Sequence, residues 1–294
     1  MRNRAYPRRG YPAQWKRRRL TTAGKVYAAL AVLSLAVCLV WVTSAAIGGI
    51  QDAKSAARMA ELQAIQAGNT PAETGAILPV SMRALPSAPA TPPTATPEPE
   101  PSMLPGLAPL YEQNPDLAGW LSIDGTEIDY PVMFRPEDED YYLSHNFDGE
   151  KDKNGALLIQ AGCDPFTAGG NIIIHGHNMK SGKMFGDLDE YKKEAYWKEH
   201  PVIRFDTLYE RGEYEIVAVF LSKVYRKNDD AFKYYQFFGA DTQAEFDEFY
   251  SNIKALALYD TGVSAHYGDS FITLSTCSYH TENGRLVVVA RKAQ

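Results

Sequence analysis

The residues best suited to nucleophilic chemistry are a cysteine and an arginine near the C-terminus. Cys277 ends the apolar run FITLSTC, and Arg285 begins the next apolar run eight residues later. A strand–loop–strand connection of this length can return Arg285 to the side of Cys277, where its guanidinium would stabilise the oxyanion formed when sulfur attacks a carbonyl. Each residue alone has a simpler interpretation, because a cysteine at a strand end is usually a small buried apolar residue and a strand-initial arginine is usually a surface cation.

Two histidines supply candidates for an acid–base group. His175 and His177 lie in IIIHGHN, where an apolar strand runs into a Gly-His-Asn turn that would place an imidazole at an exposed edge. His177 and Cys277 are one hundred residues apart, which is usual for thiol nucleophiles whose partners meet only in the fold. Cysteine, histidine and arginine together indicate transpeptidation or proteolysis through a thioester. The histidine pair could instead bind a metal, but no third ligand is identifiable, so we expect neither a metal nor another cofactor.

Composition and charge exclude several other classes of protein. Of 294 residues, 45% are hydrophobic and 22% are charged, which allows a packed core and excludes a fully disordered chain. Three cysteines are too few for a disulfide-built scaffold. Nine of the 30 Lys and Arg residues lie in residues 1–25, which leaves 21 basic against 36 acidic residues in the remainder. This acidic body argues against nucleic acid as a partner.

The N-terminal region predicts a membrane anchor. Residues 26–50 carry no charged side chain, and about 20 apolar residues suffice to cross a bilayer as a helix. The basic residues 1–25 before them predict a cytoplasmic N-terminus, with the rest of the chain outside the cell. A cleaved signal peptide is the alternative, but its apolar region would normally span only about 7–15 residues.

The chain after the anchor divides into a linker and one folded domain. Residues 51–68 are Ala-rich and favour helix, and residues 79–109 contain ten prolines. Such a composition cannot bury a core and indicates a stalk and an extended spacer over residues 51–109. The folded domain is expected over residues 110–294, a normal size for one domain.

Short runs of β-branched and aromatic residues dominate this domain and predict a closed barrel or a sandwich with inserted helices. A helix of moderate quality is predicted over 183–199, and a second over 241–258 from its i, i+3, i+4, i+7 apolar spacing. A hairpin turn is expected at 210–213. The strand candidates are TEIDYPVMF, GALLIQA, NIIIHG, VIRFDTLY, EYEIVAVFLSKV, SFITLST and RLVVVARK.

TLSTC followed by RLVVVA, with IIIHGHNM upstream, resembles the sortases, which are membrane-anchored cysteine transpeptidases of Gram-positive bacteria. NPDLAGWLSIDGTEIDYPVM, YYLSHNF and a helix before the cysteine strand resemble class B in particular, over about residues 110–294. One departure is His175, where many relatives have tyrosine, and the Gly-His-Asn alignment selects His177 as the catalytic histidine.

The resemblance implies a mostly β fold, the eight-stranded sortase barrel with N-terminal helices and an inserted helix, preceded by one transmembrane helix. It implies that Cys277 is the nucleophile, His177 the general acid/base and Arg285 the oxyanion- and substrate-holding arginine. Ser275 matches a position near the bound sorting signal. It implies no metal for class B. The expected location is the cell membrane, as a single-pass protein with an extracellular catalytic domain.

The implied reaction cleaves a C-terminal sorting signal of secreted proteins and transfers the protein, through a thioester, to an amine of a cell-wall precursor. A pilin lysine as acceptor, in a pilin-polymerising sortase, is one alternative. A cysteine endopeptidase that resolves the thioester with water is a second. A wall-associated binding or scaffolding domain with a buried Cys277 is a non-enzymatic third.

Overall fold

The computed structural model describes residues 21–68 and 102–293, which form two compact units divided after Arg58. The predicted basic tail falls almost wholly outside the described residues, as does most of the proline-rich segment. The described part of the first unit is helical, and it belongs to helix α1, Thr22–Gln66. Among the described residues, α1 is the one helix long and apolar enough to cross a membrane.

Eight strands form one closed barrel in the second unit. Around the barrel their order is β1-β2-β3-β4-β7-β8-β6-β5. Neighbours pair antiparallel except β2 with β3 and β4 with β7, which are parallel. This confirms the mostly β, eight-stranded fold. The strands are β1 Leu117–Ser122, β2 Asp129–Met133, β3 Leu157–Ile159, β4 Asn171–His175, β5 Val202–Thr207, β6 Glu213–Lys223, β7 Phe271–Cys277 and β8 Gly284–Lys292.

Seven strands coincide with the apolar runs of the sequence, and β1 does not. Its sequence, LAGWLS, contains a glycine and no β-branched residue, so its local preference for strand is weak. Hydrogen-bonded pairing with β2 on one side and β5 on the other stabilises the strand conformation that the local sequence favours only weakly. The turn predicted between β5 and β6 is present, closed by the Thr207 N–H donating to the Glu210 carbonyl at 2.9 Å.

The central strands are buried on both faces, which explains their unbroken apolar runs. Inside the barrel, Ile173, Leu274 and Val288 belong to the largest apolar cluster. Outside, helix α4, Gln243–Leu256, covers β6 and β8 with a second cluster that contains Phe249. The start of α4 is fixed by a capping box in which Thr242 and Glu245 satisfy each other's backbone N–H groups. The predicted helix over 241–258 is therefore confirmed, slightly shortened at each end.

The helix predicted over 183–199 is interrupted. The chain forms a 3-10 helix over Asp187–Lys192 and then a short helix α3, Glu194–Glu199. Met184 has a φ of +55°, in the left-handed region, so an α-helix cannot begin at residue 183. Apolar spacing alone did not reveal this break.

The compact unit begins earlier than residue 110. Leu62, in the last turns of α1, is 1% exposed and packs with Leu107 and Leu110, the latter at the start of the short helix α2, Ala108–Gln113. The Gln63 side chain also donates to the Asp129 carbonyl at 2.9 Å. These contacts make the last turns of α1 part of the domain, although composition alone places them in a stalk.

The described residues on either side of residues 69–101 approach each other within this unit. The Gly106 Cα faces the Gln66 carbonyl so closely that a Cβ would not fit between them. The stalk and extended spacer predicted over residues 51–109 stay a prediction, because residues 69–101 lie outside the described part of the chain.

Candidate functional site

One end of the barrel carries a cavity of about 520 Å³. It lies where β4 and β7, which run parallel, both end and where β8, antiparallel to β7, begins. The four site residues taken from the sequence all line this cavity: His177, Ser275, Cys277 and Arg285. Segments one hundred residues apart in the chain thus supply one site.

Cys277 and Arg285 face each other across the last rung of the β7–β8 pair. Directly opposite residues of an antiparallel pair have Cβ atoms about 5 Å apart, so the two side chains start side by side at the edge of the cavity that both line. Cys277 is a free, partly exposed thiol. In the described parts of the chain no carboxylate pairs with Arg285, whose Nη1 donates to the Gly284 carbonyl at 3.0 Å. The cation therefore remains able to meet a negative oxygen.

The turn between β7 and β8 sets this register. Asn283 has a φ of +54°, a conformation that asparagine tolerates better than most residues. The Ser278 N–H donates to the Gly284 carbonyl at 2.9 Å, and the Val224 N–H donates to the Asn283 carbonyl at 3.0 Å. These bonds hold Arg285 opposite Cys277.

His177 follows β4 on a short loop and also faces the cavity. Its Nε2 lies 2.7 Å from the Leu143 carbonyl oxygen. Because a carbonyl oxygen only accepts, Nε2 carries a hydrogen, and Nδ1 is the nitrogen left to exchange protons with a bound molecule. The Leu143 carbonyl thus fixes the tautomer and the orientation of the ring.

Three bonds tie the histidine loop to the cysteine strand. The Asn178 side chain donates to the Cys277 carbonyl at 2.8 Å, and the buried Thr276 hydroxyl donates to the Gly176 carbonyl at 2.8 Å. The Gly176 N–H donates to the Ser275 carbonyl at 3.3 Å. A side chain at Gly176 would collide with Leu157 and Phe185, so only glycine allows this approach.

His175, the last residue of β4, lines the same cavity but has different surroundings. Its Nε2 lies 3.0 Å from Gln160 Oε1, and Gln160 Nε2 donates to the Tyr235 carbonyl at 2.8 Å. Burial, and then the positive charge of Arg285, lower the pKa of His175 to about 4. The ring is therefore neutral at physiological pH, which makes it unsuited to proton exchange there.

Ser275 lies in the wall of the cavity and is 1% exposed. Its Oγ is 2.7 Å from the Tyr234 hydroxyl, and burial raises the pKa of Tyr234 to about 12. The pair therefore presents two neutral hydroxyls, joined by one hydrogen bond.

Two further features bear on the chemistry. Cys163 is buried and receives the Ile173 N–H at its sulfur at 3.4 Å, and burial raises its pKa to about 11. It is a structural thiol away from the cavity lining. Within residues 21–68 and 102–293, no group of three or more His, Cys, Asp or Glu side chains could hold a metal ion.

The arrangement places a thiol, an imidazole and a guanidinium around one cavity. Sequence reasoning missed the residues that support them: Leu143, Gln160, Asn178 and Tyr234. Leu143 and Gln160 act from other segments, and Leu143 acts through its backbone, so no local pattern marks them. Asn178 could have been found, because it belongs to the Gly-His-Asn motif.

Comparison with known proteins places this geometry in a family. A sortase domain model matches residues 121–293. Sortase B of Listeria monocytogenes is 35% identical over 184 residues, which cover 62% of this chain and 72% of that protein. The crystal structure of sortase B from Bacillus anthracis in complex with AAEK1 superposes with a TM-score of 0.63 at 27% identity, covering 83% of this chain and 99% of that one. A Staphylococcus aureus sortase B–substrate complex, at 21% identity, shares the fold with a TM-score of 0.65 over 83% of this chain and 99% of that one.

The matched region contains the whole barrel except the first four residues of β1, and it holds all four cavity residues identified from the sequence. The chain belongs to the sortase family and resembles its class B members most clearly, which makes it a cysteine transpeptidase.

Proposed function

We propose that this protein cleaves a sorting signal near the C-terminus of secreted proteins and transfers the protein to an amine at the cell surface. The observation that carries the proposal is the meeting of Cys277, His177 and Arg285 in one cavity. A Staphylococcus aureus sortase B with the same fold was solved as a complex with its substrate. We take a sorting-signal peptide as the occupant of the cavity here.

In the first half of the reaction, the proton of the Cys277 thiol passes to His177 Nδ1, and the thiolate attacks the carbonyl carbon of a threonine in the signal. The C–S bond forms, and the tetrahedral oxyanion lies against the Arg285 guanidinium, which has no competing carboxylate among the described residues. The C–N bond then breaks, and the departing amine takes a proton from His177 Nδ1. The product is a thioester on Cys277 and a released C-terminal peptide.

In the second half an amine attacks the thioester carbonyl. His177 Nδ1 takes the proton from the attacking nitrogen, the C–S bond breaks, and the Cys277 thiolate is restored. The acceptor is an amine of a peptidoglycan precursor, or a pilin lysine. Water in its place would make the enzyme an endopeptidase.

We further propose that residues 26–50 span the cell membrane once, with residues 1–25 in the cytoplasm and the barrel outside. The apolar character of α1 and the basic residues before it support this orientation. Membrane attachment would hold the enzyme at the surface where a lipid-linked acceptor is also held. The catalytic domain proposed over residues 110–294 would then include the last turns of α1 as a packing element.

The test uses the full chain in detergent with a library of signal pentapeptides, each embedded in a longer peptide. Mass spectrometry should detect an acyl adduct on Cys277, and an added oligoglycine or diaminopimelate-type amine should convert it to a transpeptidation product. Cys277→Ala should form no adduct, while Cys163→Ala, which changes the buried thiol, should retain the reaction. Turnover by Cys277→Ala would refute the proposal, and water-resolved product alone, unaffected by amines, would favour the endopeptidase.

A further inference from the structure

His175 has a hydrogen-bonding atom for which the described protein supplies no partner. Gln160 Nε2 donates to the Tyr235 carbonyl, which turns Gln160 Oε1 toward the His175 ring. Since an amide oxygen only accepts, His175 Nε2 carries the hydrogen and Nδ1 carries a lone pair. In the described ranges, Gln160 is the one residue with a hydrogen bond to this ring.

The position of His175 relates it directly to the reacting groups. It pairs in register with Ser275 on the neighbouring strand, two residues before Cys277, and both residues line the cavity. The charge of Arg285 acts on the ring across the same space. The cavity therefore has a neutral acceptor beside the place where a peptide would meet the sulfur.

The surroundings restrict what can donate to this acceptor. Two carboxylates line the cavity, Glu139 and Asp140, and both are exposed, whereas the charge that acts on the His175 ring is the positive one of Arg285. An ammonium group at His175 would meet the like charge of Arg285, and a carboxylate has no hydrogen to donate. An amide or a hydroxyl group is uncharged and has a hydrogen to donate, so either one could bind there.

We propose that His175 is a specificity-determining residue whose Nδ1 accepts a hydrogen bond from an uncharged N–H or O–H side chain of the bound signal peptide. The inference rests on the proposed function, because it assumes that a peptide occupies the cavity. His177 remains the proton carrier, and His175 selects one side chain of the peptide.

The experiment compares acylation by the full-length wild type, His175→Phe and His175→Gln. The probes are the pentapeptides of the library in which each position carries Asn, Gln, Ser or Thr, or the matched residue without a donor: Leu, Met, Ala or Val. Wild type should prefer a donor at one position by about 3- to 10-fold, the size expected for one neutral hydrogen bond. His175→Phe should lose that preference at that position alone, and His175→Gln, which keeps an acceptor, should retain part of it.

Two controls make the outcome decisive. Thermal unfolding should show that His175→Phe is folded, and its rate of Cys277 alkylation by iodoacetamide should equal that of the wild type. Identical preference profiles for wild type and His175→Phe would overturn this inference alone. Absence of an acyl-enzyme from the wild type with every peptide would instead overturn the proposed function, and this inference with it.

Discussion

Replacing Thr276 by valine tests how the histidine loop is held against the cysteine strand. Valine keeps the shape of threonine but has a methyl group where the hydroxyl donates to the Gly176 carbonyl at 2.8 Å. Thr276 is 1% exposed, so the carbonyl loses its donor in a place that water does not reach. An unsatisfied buried polar group of this kind costs about 1–3 kcal/mol of unfolding free energy. For a domain of this size we expect the melting temperature to fall by roughly 2–12 °C.

The same substitution should also slow acylation. Gly176 immediately precedes His177, and a displacement of about 1 Å in a catalytic group can cost as much as 100-fold in rate. We therefore expect Thr276→Val to form the Cys277 acyl-enzyme about 10- to 100-fold more slowly. Melting is followed by tryptophan fluorescence, and acylation by single-turnover mass spectrometry.

The chain offers a matched control on the same two strands. The Thr273 hydroxyl donates to Asn171 Oδ1 at 2.8 Å, in a buried position at the end of β7 away from the cavity. Thr273→Val should lose a similar amount of stability and keep the wild-type acylation rate. Equal acylation by both valine variants would refute the positioning role of Thr276, and an unchanged melting temperature for Thr276→Val would refute the cost assigned to the buried carbonyl.

Three further predictions concern charge, pH and the proline-rich segment. Arg285→Met should lower kcat/KM by about 10²- to 10³-fold, and Arg285→Lys should lower it less. As a control, Arg291→Met breaks the β8 ion pair with Glu215 and should leave kcat/KM unchanged. Equal losses in all three variants would contradict the oxyanion role of Arg285. The pKa of His175 is about 4 in the folded protein against an ordinary 6.5, so the stability that its neutral ring contributes above pH 6.5 is lost as pH falls toward 4. His175→Phe should therefore reduce the loss of unfolding free energy between pH 7 and 4.5 by about 1–3 kcal/mol in urea titrations. Parallel curves for the two proteins would contradict this. Gln66 and Gly106, on either side of residues 69–101, lie against each other, so replacing these residues by a short Gly/Ser linker should retain activity. The shorter loop should also raise the unfolding free energy by about 1 kcal/mol, and lost activity would contradict this prediction.

Strands were predictable where their burial is visible in the sequence. The run LVVVA of β8 is apolar on both faces because the barrel interior and α4 cover it, and such runs need no context to be recognised. β1 was not predicted from its residues, because its glycine and leucines gain their strand conformation only from pairing with β2 and β5. The break at Met184 was also invisible, because a positive φ in a non-glycine residue leaves no periodic signal.

Some features of the candidate site could likewise be predicted from the sequence, and others could not. The proximity of Cys277 and Arg285 followed from a strand–loop–strand spacing, which is a local property that the register bears out. The arrival of His177 beside them depends on β4 pairing with β7 across one hundred residues. The residue types and the family resemblance suggested this meeting, but no local spacing could show it. The support from Leu143 and Gln160 comes from a backbone carbonyl and an amide on separate segments, so their part required three-dimensional information.

The proposed reaction requires that His177 and Arg285 act on the same transition state at Cys277. A double-mutant cycle of single-turnover acylation rates, with His177→Ala, Arg285→Met and the double variant, tests this most directly. Groups that act as a unit are not additive, so the double variant should acylate much faster than the product of the two single losses predicts. Losses that simply multiply, or a single variant with the wild-type rate, would contradict a shared catalytic centre.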